Sequence, residues 1–138
     1  MRRPSFRVGL LALGSAVLAL GAVGLILEKV DFRQRTRTHA ATIAQGDPAR
    51  GEARFIAYGC GGCHALKHVP RAVGKVGPGL DGTALQAVIA GRLDNRPENM
   101  RRWIRDPQHV SPGTAMPNLG VTERDARDIS AFLYSRPN

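Results

Sequence analysis

The pattern of apolar and polar positions divides the chain into three parts. Val8–Leu27 is an uninterrupted run of twenty residues without a charge, and about 20 apolar residues are needed to cross a bilayer as a helix. Arginines precede this run and Glu28 and Lys29 follow it. The run is longer than the core of a cleaved signal peptide. The sequence therefore predicts an uncleaved N-terminal membrane anchor over residues 1–30, with a cleaved signal peptide as the alternative.

Beyond the anchor, the apolar positions follow a helical period. Residues 31–46 are polar and basic, and we expect a linker or a helical continuation of the anchor. Three later helices are predicted from capping signals at their first residues; they open at Asp47-Pro48, at Asn95-Arg96-Pro97-Glu98 and at Thr122. Thr83–Ala90 is helix-compatible but short. No segment alternates with period two, so no sheet is expected, and residues 47–138 form an all-α domain in this interpretation.

Composition limits the function classes. The net charge is +9, yet no nucleic-acid motif or aromatic-basic patch accompanies it, so nucleic acid is not expected as a partner. Only 5% of residues are aromatic, which is little for the core of a small domain. A buried cofactor would supply the missing apolar bulk.

The two cysteines of the chain lie in Cys60-Gly61-Gly62-Cys63-His64. Two thiols at this spacing, followed at once by histidine, are typical of covalent attachment of a c-type haem. Each thiol would form a thioether with a haem vinyl group, and the imidazole would bind the iron. The glycines would let the loop bend tightly beneath the macrocycle.

Other chemistries use cysteines at this spacing. A thioredoxin-like redox site requires a βαβ context, which the pattern does not provide. A haem-free zinc module would recruit His68 as a fourth ligand, although Cys63 and His64 are adjacent and converge poorly on one small ion. Haem attachment is the favoured interpretation.

The ordered set of motifs resembles the class I cytochromes c over roughly the last ninety residues. A helix with Gly51 and Phe55 comes first, and the haem motif follows it. Gly77-Pro78-Gly79-Leu80, Met116-Pro117 and a terminal helix with Ile129 and Phe132 complete the order. The stretch from Asn95 to Pro117 further resembles the cytochrome c domains associated with haem-copper oxidases.

The resemblance implies a set of haem-binding residues. His64 would be the proximal iron ligand and Met116 the distal one. Met100 competes with Met116 but is more typical of a core residue, because it lies three positions before Trp103 on a helix. Pro78 would offer its carbonyl to the His64 ring, and Leu80 and Trp103 would contact the haem. Gly51 and Phe55 would pack against Ile129 and Phe132.

The function implied by the resemblance is electron transfer without catalysis. With both axial positions filled there is no open site for a small-molecule substrate. The expected partners are redox proteins, a quinol-oxidising complex upstream and a terminal oxidase downstream. Because c-type haem is attached outside the bacterial cytoplasm, the haem domain is expected on the periplasmic side of the inner membrane. The alternative is an electron-transfer subunit of an oxidase or dehydrogenase complex.

Overall fold

The computed structural model describes residues 5–136, with side chains from residue 14 onward. The described residues are predominantly helical, with one short hairpin. The helices are α1 (Ser5–Ala44), α2 (Pro48–Ala57), α3 (Pro97–Arg105), α4 (Pro107–Val110) and α5 (Glu123–Tyr134). The strands are β1 (Val88–Ile89) and β2 (Leu93–Asp94), and two single 3-10 turns cover Cys60–Gly62 and Thr83–Leu85.

The chain divides into two compact units between Gln34 and Arg35. In the first unit the described residues are helical throughout. Among the residues that the structure describes, no helix contains a stretch long and apolar enough to cross a membrane. The predicted anchor over residues 1–30 begins outside the described residues, since positions 1–4 are not among them.

The second unit is built on the crossing of α2 and α5. A Cβ atom placed on Gly51 would overlap the carbonyl oxygen of Asp128, so only glycine allows the two helices to approach this closely. One turn further along, the rings of Phe55 and Phe132 pack with their centroids 5.8 Å apart. Both phenylalanines and Ile129 are buried, and each such side chain contributes about 1.5–3 kcal/mol. The predicted packing of the helix that carries Gly51 and Phe55 against the last helix is confirmed; these helices are α2 and α5.

Hydrogen-bonded carboxylates reinforce this crossing. The guanidinium of Arg50 donates to both oxygens of Asp128, at 2.9 and 3.0 Å, and the backbone N–H of Asp47 donates to Asp128 at 2.7 Å. Burial alone would raise the pKa of Asp128, but these donors outweigh it and hold that pKa below its usual range. The Tyr58 hydroxyl donates to Asp125 at 2.8 Å and is the main cause of the lowered pKa of that carboxyl group.

The end of α1 belongs to the second unit. The segment expected as a linker over 31–46 is helical as far as Ala44, and Ala40 and Ala44 are buried in the core. Arg101 donates to the carbonyl of Ala44 at 3.3 Å. A Cβ atom on Gly46 would overlap the backbone carbonyl of Arg127 on α5, so the connection to α2 lies tightly against that helix.

The capping signals were correct for two helices and wrong for one. Asp47 accepts from the backbone N–H groups of Ala49 and Arg50, and Thr122 accepts from that of Asp125. The predicted cap at Asn95 is wrong, because the residue before the first turn of α3 is Arg96 and its side chain makes no capping bond. The side chain of Asn95 is bound elsewhere.

The expectation of no sheet is also wrong in detail. β1 and β2 pair antiparallel, with Val88 opposite Asp94 and Ile89 opposite Leu93. Ala90 and Gly91 both have positive φ, which produces the tight reversal between the strands. As a result the helix-compatible segment Thr83–Ala90 forms only a single 3-10 turn before the hairpin.

Candidate functional site

The segment Cys60–His64 folds as a compact turn directly after α2. Gly59 ends the helix with φ +70°, a left-handed conformation that favours glycine. The backbone N–H groups of Cys63 and His64 then both donate to the carbonyl of Cys60, at 3.2 and 3.0 Å. Both cysteines are free thiols; burial raises the pKa of Cys60, and Cys63 is exposed. The turn thus presents two thiols and an imidazole within five residues.

The imidazole of His64 is fixed in one orientation and one tautomer. Its Nδ1 atom lies 2.8 Å from the carbonyl oxygen of Pro78. A carbonyl can only accept, so Nδ1 carries the proton and Nε2 keeps a free lone pair for a metal. Gly77 lies directly against the ring, since a Cβ atom there would overlap it. This is the arrangement expected of a metal-binding histidine whose other nitrogen is held by a backbone carbonyl.

Backbone hydrogen bonds tie this turn to the loop that follows. Gly74 donates to the carbonyl of Gly61 at 3.0 Å, and Gly77 donates to that of Cys63 at 2.8 Å. A Cβ atom on Gly61 would lie 2.8 Å from the Cα of Ala72, whereas one on Gly62 would meet nothing within 4 Å. The sequence interpretation assigned both glycines to room beneath a macrocycle, but Gly61 is required by the packing of the chain itself.

The same loops leave large aliphatic side chains exposed. Val73 is 75% exposed, Val76 71% and Leu85 72%. Two thiols and a histidine with a free Nε2 are the chemistry that a covalently attached haem requires, so the residues present fit this group.

Met116 lies half-buried in the loop between α4 and α5. The side chain of Gln108 holds this loop: its Nε2 donates to the carbonyls of Thr114 and Met116, both at 2.8 Å, and its Oε1 accepts from Gly113 at 3.2 Å. Met100 is only 4% exposed within the core, in agreement with its interpretation as a packing residue. Ligation of iron by Met116 stays a prediction.

The remaining predicted contacts are partly placed by the structure. Leu80 and Trp103 are half-buried and pack against the core, and their contacts with haem stay predictions. His68 is exposed and has φ +60°. No group of three or more His, Cys, Asp or Glu side chains within the described part of the chain could hold a metal ion, which disfavours the zinc alternative with His68.

Sequence reasoning missed the residues that hold these loops in place. They are Gln108 beside Met116, Asp81, which accepts from the backbone N–H of Lys67 at 3.3 Å, and Asn95. Each acts on backbone groups at least five positions away, and no local sequence pattern reports such partners. The one available signal was the position of Asn95 and Gln108 within two residues of the prolines that begin α3 and α4.

Comparison with known proteins decides the family. The family model described as cytochrome c matches residues 48–137. The chain belongs to the cytochrome c family. It is similar to cytochrome c oxidase subunit 2 of Alkalihalophilus pseudofirmus (strain ATCC BAA-2126 / JCM 17055 / OF4), with 37% identity over 87 residues, which are 62% of this chain and 25% of that protein. Cytochrome c oxidase subunit 2 of Bacillus sp. (strain PS3) is 34% identical over 89 residues, again 62% and 25% of the two chains.

Membership of this family confirms the predicted cofactor. Cytochromes c carry covalently bound haem c, and Cys60, Cys63 and His64 supply its attachment motif. The chain is therefore an electron-transfer protein of the class I type, related to cytochrome c domains associated with oxidases. It spans about a quarter of the length of the two oxidase subunits. No solved structure matches the chain.

Proposed function

We propose that this chain is a membrane-anchored cytochrome c that carries single electrons between components of a respiratory chain, toward a terminal oxidase. The observation that carries the proposal is the 2.8 Å contact between His64 Nδ1 and the Pro78 carbonyl, which leaves Nε2 free as a ligand beside two free thiols. A bound haem c supplies a one-electron iron couple.

The residues of the chain would set the properties of that couple. Cys60 and Cys63 would fix the cofactor covalently, and the Pro78 carbonyl would keep the His64 ring in its ligating tautomer. Met116, held on its loop by Gln108, would be the second iron ligand. A thioether ligand raises the reduction potential of haem compared with a second imidazole. With His64 and Met116 both bound, no site on the iron would remain for a small-molecule substrate.

The surface after the haem motif supports docking to a redox partner. Lys67, Arg71 and Lys75 are all exposed on the loop that follows His64. Clustered cations of this kind speed association with an acidic protein surface, and the effect weakens with added salt. A quinol-oxidising complex upstream and a terminal oxidase downstream are the partners that we propose.

The location that we propose is the outer face of a bacterial inner membrane. The observation behind an N-terminal anchor is the uncharged run over 8–27. An anchor would confine the cytochrome to the plane of the membrane and raise its effective concentration near membrane-bound partners.

A second candidate is an electron-transfer subunit that stays within an oxidase or dehydrogenase complex. Similarity to two cytochrome c oxidase subunits favours it, because in both relatives the matched region, a quarter of the chain, is part of an oxidase subunit. A permanent subunit would remain with catalytic subunits through detergent and salt, whereas a carrier would be recovered alone.

The test is made on the full chain expressed with haem-attachment machinery. We expect a c-type haemochrome spectrum in alkaline pyridine that stays with the denatured polypeptide. We also expect the reduced protein to be oxidised by membranes that contain a terminal oxidase, more slowly as salt is added. A spectrum without haem would contradict the cofactor, and a loaded protein that membranes do not oxidise would contradict the carrier.

A further inference from the structure

Asn95 makes a complete set of side-chain hydrogen bonds at a distance from the iron ligands. Its Nδ2 donates to the carbonyls of Thr83 and Gln86, both at 2.7 Å, and its Oδ1 accepts from the hydroxyl of Tyr134 at 2.6 Å. A primary amide has two donor hydrogens and one acceptor oxygen, and all are used. An aspartate could not donate these bonds, and a leucine could neither donate nor accept them.

The bonds of Asn95 hold the loop that enters the hairpin. The backbone N–H of Asn95 also donates to the carbonyl of Ala87, at 3.0 Å. Together, the three carbonyls of Thr83, Gln86 and Ala87 are fixed to one residue, which lies between β2 and α3. Tyr134, which is buried on α5, fixes that residue in turn to the helical scaffold. The loop is therefore tied to the α2/α5 scaffold through one side chain.

A chain of hydrogen bonds leads from this loop to His64. The hydroxyl of Thr83 donates to the carbonyl of Leu80 at 2.6 Å, and the N–H of Leu80 donates to the carbonyl of Ala65 at 2.9 Å. Ala65 follows His64 directly, and Leu80 lies two residues after Pro78, whose carbonyl accepts from the His64 ring. We call the 3-10 turn Thr83–Leu85 the Thr83 turn. If it shifted, Leu80 would move with it, and this movement would reach both Ala65 beside His64 and the nearby carbonyl of Pro78.

We infer that Asn95 is a positioning residue for the haem ligand His64, acting through the Thr83 turn and Leu80 on the His64–Pro78 hydrogen bond. This inference rests on the proposed function, because His64 acts as a ligand only in the haem-loaded protein. Asn99 provides a matched control: its Nδ2 makes a single bond, to the nearby carbonyl of Asp94 at 3.0 Å, and reaches no part of the Leu80 segment.

The experiment compares Asn95→Leu and Asn99→Leu in the haem-loaded full chain. We expect the backbone amide of Leu80 and the Nδ1 proton of His64 to exchange with solvent roughly tenfold faster or more in Asn95→Leu, because several hydrogen bonds are lost together. In Asn99→Leu both protons should exchange within about twofold of the wild-type rate, since only one local bond is removed.

The reduction potential gives a readout that simple destabilisation would not move. A hydrogen bond from Nδ1 makes the histidine a more basic ligand, which favours ferric iron. Loosening that bond should therefore raise the potential in Asn95→Leu and leave it unchanged in Asn99→Leu. An unchanged or lower potential in Asn95→Leu, or Leu80 exchange no faster than that of the amides in α2, would overturn the inference.

If Asn95→Leu does not fold, Tyr134→Phe removes one of the bonds and keeps the aromatic ring. We expect the same changes in smaller size, and their absence would equally overturn the inference. The pyridine haemochrome spectrum of each variant separates this result from a failure of the proposed function. Absence of covalent haem in the wild type would contradict that function, whereas loaded protein without the expected shifts would contradict only the role of Asn95.

Discussion

The α2/α5 crossing and the loops that carry the haem motif are stabilised in different ways. At the crossing, Phe55 and Phe132 are almost fully buried by other side chains of the same unit. On the loops, Val73, Val76 and Leu85 are more than two-thirds exposed, and backbone hydrogen bonds fix the chain path. The aromatic side chains of the scaffold are thus covered by the chain itself, whereas these aliphatic side chains of the loops are not.

The largest effect is expected from removing the attachment residues. Replacing Cys60 and Cys63 together by serine should abolish haem that survives denaturation, because no thioether can form. The alkaline pyridine spectrum measures this directly. Hydrogen exchange on the same variant sharpens the comparison: amides of the loops should lose protection, while those of α2 and α5 should keep most of theirs. Equal loss in both regions would contradict the distinction.

Met116→Ala should lower the reduction potential on the order of a tenth of a volt, since axial ligands set haem potentials over a range of about 0.8 V. The control is Met100→Leu, which removes a buried methionine with little change in volume and should leave the potential as it is. Redox titration of both variants checks the prediction. A wild-type potential and ferric spectrum in Met116→Ala would rule out Met116 as the ligand.

Gly51→Ala should destabilise the protein by about 3 kcal/mol, because the added Cβ atom would force α2 away from the carbonyl of Asp128. Alanine is the better helix former, so the loss would be steric and not intrinsic. Gly62→Ala is the control on the loop side, where a Cβ atom meets no protein atom within 4 Å. Urea unfolding of the two variants should differ; similar values would contradict the close approach of the helices.

The local part of the fold could be predicted from sequence, and the long-range part could not. Asp47 and Thr122 were identified as caps because a cap binds N–H groups two or three residues away. Asn95 has the same local signal, but Tyr134, which lies 39 positions later in the chain, binds its side chain instead. The hairpin was missed because each strand is only two residues long, too short for an alternating pattern.

The candidate site and its supports also divide into residues that a local motif identifies and residues whose partners lie far away in the sequence. The thiols and His64 form one sequence motif, and the resemblance supplied Pro78 as the partner of the ring. The pairing of Arg50 with Asp128 was not foreseen, since 78 positions separate them. Gln108 was also missed, because its three bonds to the Met116 loop depend on how α4 ends.

Acid should destabilise the α2/α5 crossing, because the pKa of the Asp128 carboxyl group is lowered in the folded protein. An unfolded aspartate titrates near pH 3.9, and the pKa of folded Asp128 is lower. The contribution of Asp128 to the free energy of unfolding is therefore complete above the pKa of the unfolded aspartate. It is lost as the pH falls through the pKa of the folded protein. Asp128→Asn should show a shallower loss of stability below about pH 4 than the wild type. Asp94→Asn, at an exposed position, should follow the wild-type curve in the same urea titrations.

The smallest effect is expected in alkali. Burial, with the negative charge of Glu98, raises the pKa of Tyr134 to about 12. An unfolded phenol ionises near pH 10, so the contribution of this group is complete below that pH and is lost as the pH rises through the folded value. The pKa of Tyr58, the other tyrosine, is also raised, chiefly by its hydrogen bond to Asp125. Ultraviolet titration should therefore show two late phenol ionisations in the wild type, and Tyr134→Phe should remove the one near pH 12. If Tyr58, left alone in that variant, still ionised near pH 12, the assignment to Tyr134 would be wrong.

The contacts of the last turns of α1 determine which helices of the second unit would bear a force applied to residues 35–44. Ala40 and Ala44 are buried in the core, Arg101 holds the carbonyl of Ala44, and Gly46 lies against α5. A force that pulled on residues 35–44 would therefore be borne first by α3 and α5, which hold this segment, and not by the turn that carries Cys60 and His64.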